Sequence, residues 1–223
     1  MTELLTLKAK ERLTPDTHAY TFNRPEGFHF TPGHATELAI QREGWRDEGR
    51  PFTFTSLPED DHLQFTIKSY PSHDGVTAQM ATLQAGEMVE IDSPFGALED
   101  KGPGTFLAAG AGITPFLAIL RARAAGQRLD GCRLIYTNKT ARDIILHEEL
   151  ARMPGLTTHF TVTDEPSPGV EHATIDRAWL SERIEDPSGR FYLCGPQGFV
   201  DSMRDALTGL GAAADLIHTE EGW

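Results

Sequence analysis

Over the first hundred residues apolar and polar positions change places with a period of two. The runs predict strands at Leu4–Lys10, Ala19–Asn23, Ala35–Ile40, Phe52–Ser56, Leu63–Tyr70 and Met88–Asp92. Turn chemistry separates them, at Arg24-Pro25-Glu26-Gly27, Thr31-Pro32-Gly33 and Ser72-His73-Asp74-Gly75. Many short strands closed by glycine and proline turns predict a small antiparallel barrel, capped by one helix near Val76–Leu83.

Past the polar, glycine-rich segment Glu99-Asp100-Lys101-Gly102-Pro103-Gly104 the pattern changes to strand and helix in alternation. Thr105–Ala109 is a continuous apolar run, and Pro115–Ala124 is a helix with Phe116, Ile119 and Leu120 on one face. Cys132–Thr137 is the next strand, and Arg142–Arg152, Thr158–Thr163, Trp179–Ile184, Phe191–Cys194 and Gln197–Leu210 continue the series. Such alternation predicts a parallel, doubly wound α/β sheet. The expected organisation is a barrel domain over residues 1–100 and a nucleotide-binding domain over 101–223.

Composition excludes several classes. The 223 residues are 39% hydrophobic, with no run long enough to span a membrane and no charged-then-apolar leader, so a cytoplasmic, soluble monomer is expected. Two distant cysteines, Cys132 and Cys194, suit neither a disulfide scaffold nor an iron–sulfur cluster. The nine histidines show no zinc spacing, and no metal is expected. The net charge is −13, and nine of those excess negative charges lie in the first hundred residues, which argues against a nucleic-acid partner.

The candidate chemistry begins where Thr105–Ala109 runs into Gly110-Ala111-Gly112-Ile113-Thr114-Pro115 and then into a helix. Open backbone amides and the helix dipole at such a junction favour a pyrophosphate. Gly110 and Gly112 let the backbone approach the phosphates, Thr114 offers a hydroxyl, and Pro115 suits a first helical turn. Pro115 replaces the third glycine of the usual dinucleotide fingerprint, which points away from standard dehydrogenases. A second strand, Arg190–Cys194, ends in Gly195-Pro196, again where ligands sit in parallel sheets. Cys194 either lines a nicotinamide pocket or fills the core as a small apolar residue.

With Arg50-Pro51-Phe52-Thr53, Gly75-Val76-Thr77 and the terminal Glu221-Gly222-Trp223 added, nearly the whole chain resembles the ferredoxin-NADP reductase family of flavoproteins. The resemblance implies an FAD-binding barrel in which Arg50 holds the diphosphate, Phe52 stacks on the isoalloxazine and the Thr53 hydroxyl meets flavin N5. Phe52 stands where the family carries tyrosine, so stacking is expected without that hydroxyl's hydrogen bond. By the same resemblance Ile67, Lys68, Ser69 and Tyr70 run beside the ribityl chain and diphosphate, and Gly75, Val76 and Thr77 favour FAD over FMN. Cys194 then takes its place at the nicotinamide. Glu221 relays a proton near Thr53 and Cys194, and Trp223 stacks on the flavin as a gate.

The implied reaction is hydride transfer from NADH or NADPH, docked in the cleft between the domains, to FAD. Relatives that use NADPH follow the strand matching His159–Val162 with an arginine, whereas this chain has Thr163-Asp164-Glu165. Carboxylates repel a 2′-phosphate, so NADH is favoured, with Lys139 and Arg142 as the side chains still able to reach one. Electrons are expected to pass to a separate small carrier such as a ferredoxin or flavodoxin, or to an oxygenase component. The alternatives are direct reduction of free flavin or a ferric chelate, and a non-turnover electron-transfer subunit of a larger complex.

Overall fold

The computed structural model describes residues 2–220, which form two compact units: residues 2–100 with 117–122, and 101–116 with 123–220. In the first unit, seven strands run antiparallel: β1 (Glu3–Arg12), β2 (Thr17–Asn23), β3 (His34–Ile40), β4 (Arg50–Thr53), β5 (His62–Lys68), β6 (Met88–Ile91) and β7 (Phe95–Gly96). Six follow the order β4-β3-β6-β1-β2-β5, with the two-residue β7 pairing to β3. An antiparallel bridge between Phe54 and Phe65 joins the two ends of that path, so the sheet curls into the expected barrel.

The period-two pattern is the cause of the closure, because alternate residues point inward. Leu5, Leu7, Tyr20, Phe22, Leu38 and Phe65 are buried together in the barrel core. Phe30 stacks on Phe54 at 4.5 Å between ring centres and Phe22 meets Phe65 edge-on at 6.0 Å. At Gly33 (φ +91°) a Cβ would lie 2.0 Å from the Leu98 carbonyl oxygen, so that turn requires glycine.

Helix α1 (Val76–Met80) is shorter than the predicted Val76–Leu83, and it covers the core with Val76 and Met80. Its far end is clamped. Lys10 Nζ donates to the carbonyls of Ala81 (3.0 Å) and Leu83 (2.7 Å). Arg42 forms a two-pronged pair with Glu87 (2.8 and 2.7 Å) and donates to Thr82 Oγ1 (2.6 Å), while Glu87 also accepts from the Gln84 N–H (2.7 Å). Cations at helix carbonyls complement the helix dipole.

The second unit holds β8 (Thr105–Ala109), the two ends of α2 (Thr114–Ala125), whose residues 117–122 count with the first unit, β9 (Arg133–Asn138), α3 (His147–Ala151), β10 (Thr157–Val162) and β11 (Glu171–His172). It continues with α4 (Arg177–Ser181), β12 (Phe191–Cys194), α5 (Gln197–Gly209) and β13 (Ile217–Thr219). The strands pair in parallel throughout, in the order β11-β10-β9-β8-β12-β13. Both faces are covered, so the central strands read as unbroken apolar runs instead of alternating. Leu107, Ile135 and Leu193 pack on one face with Trp179, Met203 and Leu207. On β8 and β12, Phe106 stacks on Tyr192 at 4.5 Å and meets Phe116 at 5.2 Å.

One predicted helix is not continuous. The stretch expected as a helix over Arg142–Arg152 is a 3-10 turn (Ala141–Asp143), then an extended residue at Ile144, then Leu146 at φ +53° before α3 begins. The Asp143 carboxylate accepts from the Thr140 hydroxyl (2.6 Å) and N–H (3.1 Å), closing the turn locally. Ile144 and Ile145 are neighbours and both are buried, which the extended stretch allows.

The pairing with Arg42 holds the Glu87 carboxyl below its ordinary value of 4.5, helped by the Gln84 N–H. A lowered folded-state value stabilises the fold fully above pH 4.5, and the gain is lost as pH falls through the lower folded value. Glu87→Gln should lower Tm at neutral pH and flatten the acid-side fall. Thermal melts from about pH 7 to about pH 3.5 check this; a parallel pair of curves would refute it.

Candidate cofactor and nucleotide sites

From β8 the chain winds through β9 and β10 to one side of the sheet, and then returns to β12 and β13 on the other. The reversal falls between β8 and β12, and ligands of open α/β sheets bind outside the strand carboxyl ends at such a point. Gly110–Ile113 follows β8 there as a 3-10 turn leading into α2, and Gly195-Pro196 follows β12.

The two turns touch. A Cβ on Gly112 would lie 2.2 Å from the Cys194 carbonyl oxygen and 2.6 Å from the Gly195 nitrogen. A Cβ on Gly195 (φ +156°) would lie 2.9 Å from Ala109 Cβ. Gly110 (φ +55°) faces open space within 4 Å of its Cβ position. Two of these glycines serve backbone packing and the third leaves a bare surface, which fits a pyrophosphate cradle. Thr114 donates its hydroxyl to the Ala111 carbonyl (3.0 Å) within the turn, and Pro115 lies in the first turn of α2.

Cys194 is buried, and its thiol donates to the Glu220 carboxylate at 3.4 Å. Burial and that carboxylate push the thiol well above its usual range, so it stays protonated at neutral pH. Burial likewise raises the Glu220 carboxyl, partly offset by the bond from Cys194. Pairing of β13 with β12 brings the Glu220 carboxylate beside Cys194, one residue before the Glu221 to which the sequence assigns a proton relay. Glu221 and Trp223 themselves lie outside the described residues.

At the end of β10, Thr163 and Asp164 are exposed, with the Thr163 hydroxyl donating to Asp164 (2.9 Å). Their backbone N–H groups bond to Asn138 and Lys139, which ties this loop to the end of β9. Asn138 Nδ2 and Thr137 Oγ1 are buried at that sheet edge with no partner among the described residues. Unpaired buried polar atoms at a ligand edge fit a polar ligand.

In the first unit, β4 carries Arg50, Pro51, Phe52 and Thr53, and β5 carries Ile67 and Lys68 before Ser69 and Tyr70. Arg50 is exposed and donates to the Gly49 carbonyl (2.6 Å) and to Glu48 (3.3 Å), Phe52 is half-buried against the barrel core, and Thr53 is buried. Lys68 is paired with Asp16 at 2.9 Å, so its charge is shared. Ser69 Oγ is buried without a partner among the described residues, and Tyr70 is exposed. Gly75 is extended, with no side chain capping α1, so the amides at Val76 and Thr77 begin the helix uncapped. These residues fit a flavin with a diphosphate: an apolar ring, an available guanidinium, an orphaned hydroxyl and uncapped amides.

The fold and the two glycine turns define a flavoprotein of the nicotinamide-nucleotide class, and sequence comparison agrees. Residues 4–99 match the oxidoreductase FAD-binding domain family and residues 106–205 the oxidoreductase NAD-binding domain family. The chain belongs to the ferredoxin-NADP reductase-like family of flavoproteins. It is 30% identical to a flavohemoprotein of Chromobacterium violaceum over 86% of this chain and 52% of that one. It is 29% identical to the 2-halobenzoate 1,2-dioxygenase electron transfer component of Burkholderia cepacia, over 80% of this chain and 54% of the relative. The chain thus spans about half the length of these curated relatives. In fold it is similar to a ferredoxin NADP+ reductase from Neisseria gonorrhoeae with bound FAD and NADP (TM-score 0.86, 23% identity, 100% and 99% of the two chains).

Gly112→Ala places a methyl group against the β12 backbone and must push the two turns apart. FAD content should remain at the parent level while nucleotide affinity falls at least about tenfold, measured by titration with NAD+. An unchanged affinity would show that the contact does not shape the site.

Proposed function

We propose that this chain is an NAD(P)H-dependent flavoprotein reductase that favours NADH and delivers electrons to a separate acceptor. The observation that carries the reading is the contact of the Gly110–Ile113 turn with Cys194 and Gly195 at the point where strand order reverses. It provides bare amides for a pyrophosphate and a small, neutral side chain beside it.

A flavin held by the barrel residues would supply the redox chemistry, accepting a hydride and allowing electrons to leave one at a time. The protein's part is orientation. Gly110, Gly112, Thr114 and Pro115 form the pyrophosphate turn, and Cys194, Gly195 and Pro196 form the wall at the nicotinamide. The protonated Cys194 keeps that wall free of thiolate charge, and the raised Glu220 carboxyl can hold a proton next to it. In the barrel, Arg50 and the segment Ser69, Gly75, Val76 and Thr77 hold the diphosphate. Phe52 and Tyr70 supply apolar surface, Thr53 a hydroxyl and Lys68 a shared positive charge, whereas the Ile67 side chain expected beside the ribityl is buried in the barrel core and offers none. Trp223 is assigned the ring-covering role.

Thr163 and Asp164 face the adenine ribose in this reading. The carboxylate of Asp164 accepts hydrogen bonds from ribose hydroxyls and repels a 2′-phosphate. The acceptor is taken to be a small carrier protein or an oxygenase component, a reading supported by the similarity to the electron transfer component of 2-halobenzoate 1,2-dioxygenase.

Anaerobic stopped-flow mixing with NADH and with NADPH tests the reading through flavin bleaching. Faster bleaching by NADH is expected. Asp164→Arg should move the NADPH to NADH preference by about tenfold or more towards NADPH. A variant with the parent's ratio would remove Asp164 from the ribose site.

A further inference from the structure

Tyr136 lies on β9, fully buried, and its ring meets Phe160 edge-on at 6.4 Å. Its hydroxyl nevertheless works outside the core. It donates to the Gly110 carbonyl at 2.8 Å and accepts from the Ile145 N–H at 3.4 Å. One phenol therefore joins the glycine turn after β8 to the segment after β9, in which Leu146 holds the left-handed conformation (φ +53°).

Covalent geometry gives the first of these bonds a consequence. In a trans peptide the carbonyl and the following N–H point in opposite directions. Holding the Gly110 carbonyl on the phenol turns the Ala111 N–H away from the buried ring. Ala111 belongs to the first turn of its helix, whose amides lack acceptors within the helix. The second bond anchors Ile145, itself buried, immediately before the strained Leu146. A left-handed leucine persists only where its surroundings over-determine it.

We propose that Tyr136 is a positioning residue for the dinucleotide, its phenol locking the Gly110 turn to the Ile144–Leu146 segment so that the two form one pre-set cradle. The proposal rests on the nucleotide site described above. Tyr136 touches no phosphate; it sets the direction of an amide that does. Preorganisation of this kind raises affinity by removing the cost of ordering the loop on binding.

Tyr136→Phe keeps the ring and removes only the hydroxyl. Stopped-flow saturation should show the NADH dissociation constant raised about tenfold, with the limiting rate of flavin reduction within about twofold of the parent. Tm should fall modestly from the two lost hydrogen bonds, while FAD content and the NADH to NADPH ratio hold at parent values, which a general loss of structure would not allow. An unchanged dissociation constant in a variant that carries full flavin overturns the proposal, as does a limiting rate that falls as far as affinity. If neither NADH nor NADPH reduces the parent protein, the reductase reading fails first and the proposal falls with it. If Tyr136→Phe does not fold, hydrogen exchange of the unaltered holoprotein with NAD+ decides. Protection gained together at Gly110–Ile113 and Ile144–Leu146 supports the lock, and protection confined to the glycine turn overturns it.

Discussion

The close approach of Gly112 to the Cys194 and Gly195 backbone is the constraint on which the ligand edge of the α/β unit depends. Parallel strands end in loops that ordinarily diverge, since their helices leave toward different faces or sides of the sheet. Here two loops from adjacent strands meet without side chains between them. That meeting sets the bare turn of Gly110 and the thiol of Cys194 on the same edge, and pairing of β13 with β12 adds the Glu220 carboxyl. A carboxyl and a thiol that both resist ionisation form a wall whose charge is governed by burial.

The barrel solves a different problem. Its interior is filled by aromatic and aliphatic side chains, so the groups it leaves open to a ligand are confined to strand ends and the uncapped start of α1. A five-residue helix has little stability of its own. The Lys10 bonds and the Arg42–Glu87 pair grip the segment just past its end, 81–87, and so fix where its amino terminus points. Surface ion pairs contribute little individually, but a two-pronged arginine that also binds a hydroxyl and a carbonyl restrains geometry as well as adding energy.

Much of this was legible in the chain itself. Period-two runs marked six barrel strands, and apolar runs such as Thr105–Ala109 and Phe191–Cys194 marked parallel strands to the residue. The two- and three-residue strands β7, β11 and β13 carry too short a pattern to read, and depend on neighbours far away in sequence. The break at Ile144–Leu146 was hidden because Arg142–Arg152 has helix-forming composition, while burial of adjacent isoleucines and the Tyr136 bond overrode it. Motif placement found the glycine turns and named Glu221, which lies outside the described residues, but it did not single out Glu220, whose place beside Cys194 depends on the pairing of β13 with β12. Tyr136 was visible only as part of a segment; nothing in a buried aromatic on a strand announces that its hydroxyl reaches a turn in another loop.

The outermost strands of the parallel sheet, β11 and β13, are two and three residues long, and the other sheet is closed upon itself by the Phe54–Phe65 bridge. An open sheet grows by adding strands to unpaired edge amides. The closed ring offers few such amides, but β11 covers only Thr161 and Val162 of β10, so among the described residues the outer side of 157–160 is a stretch that a further strand could extend. Where hydrogen bonding stops is thus the place at which another chain could join, and the net charge of −13 sets a long-range repulsion between copies against it.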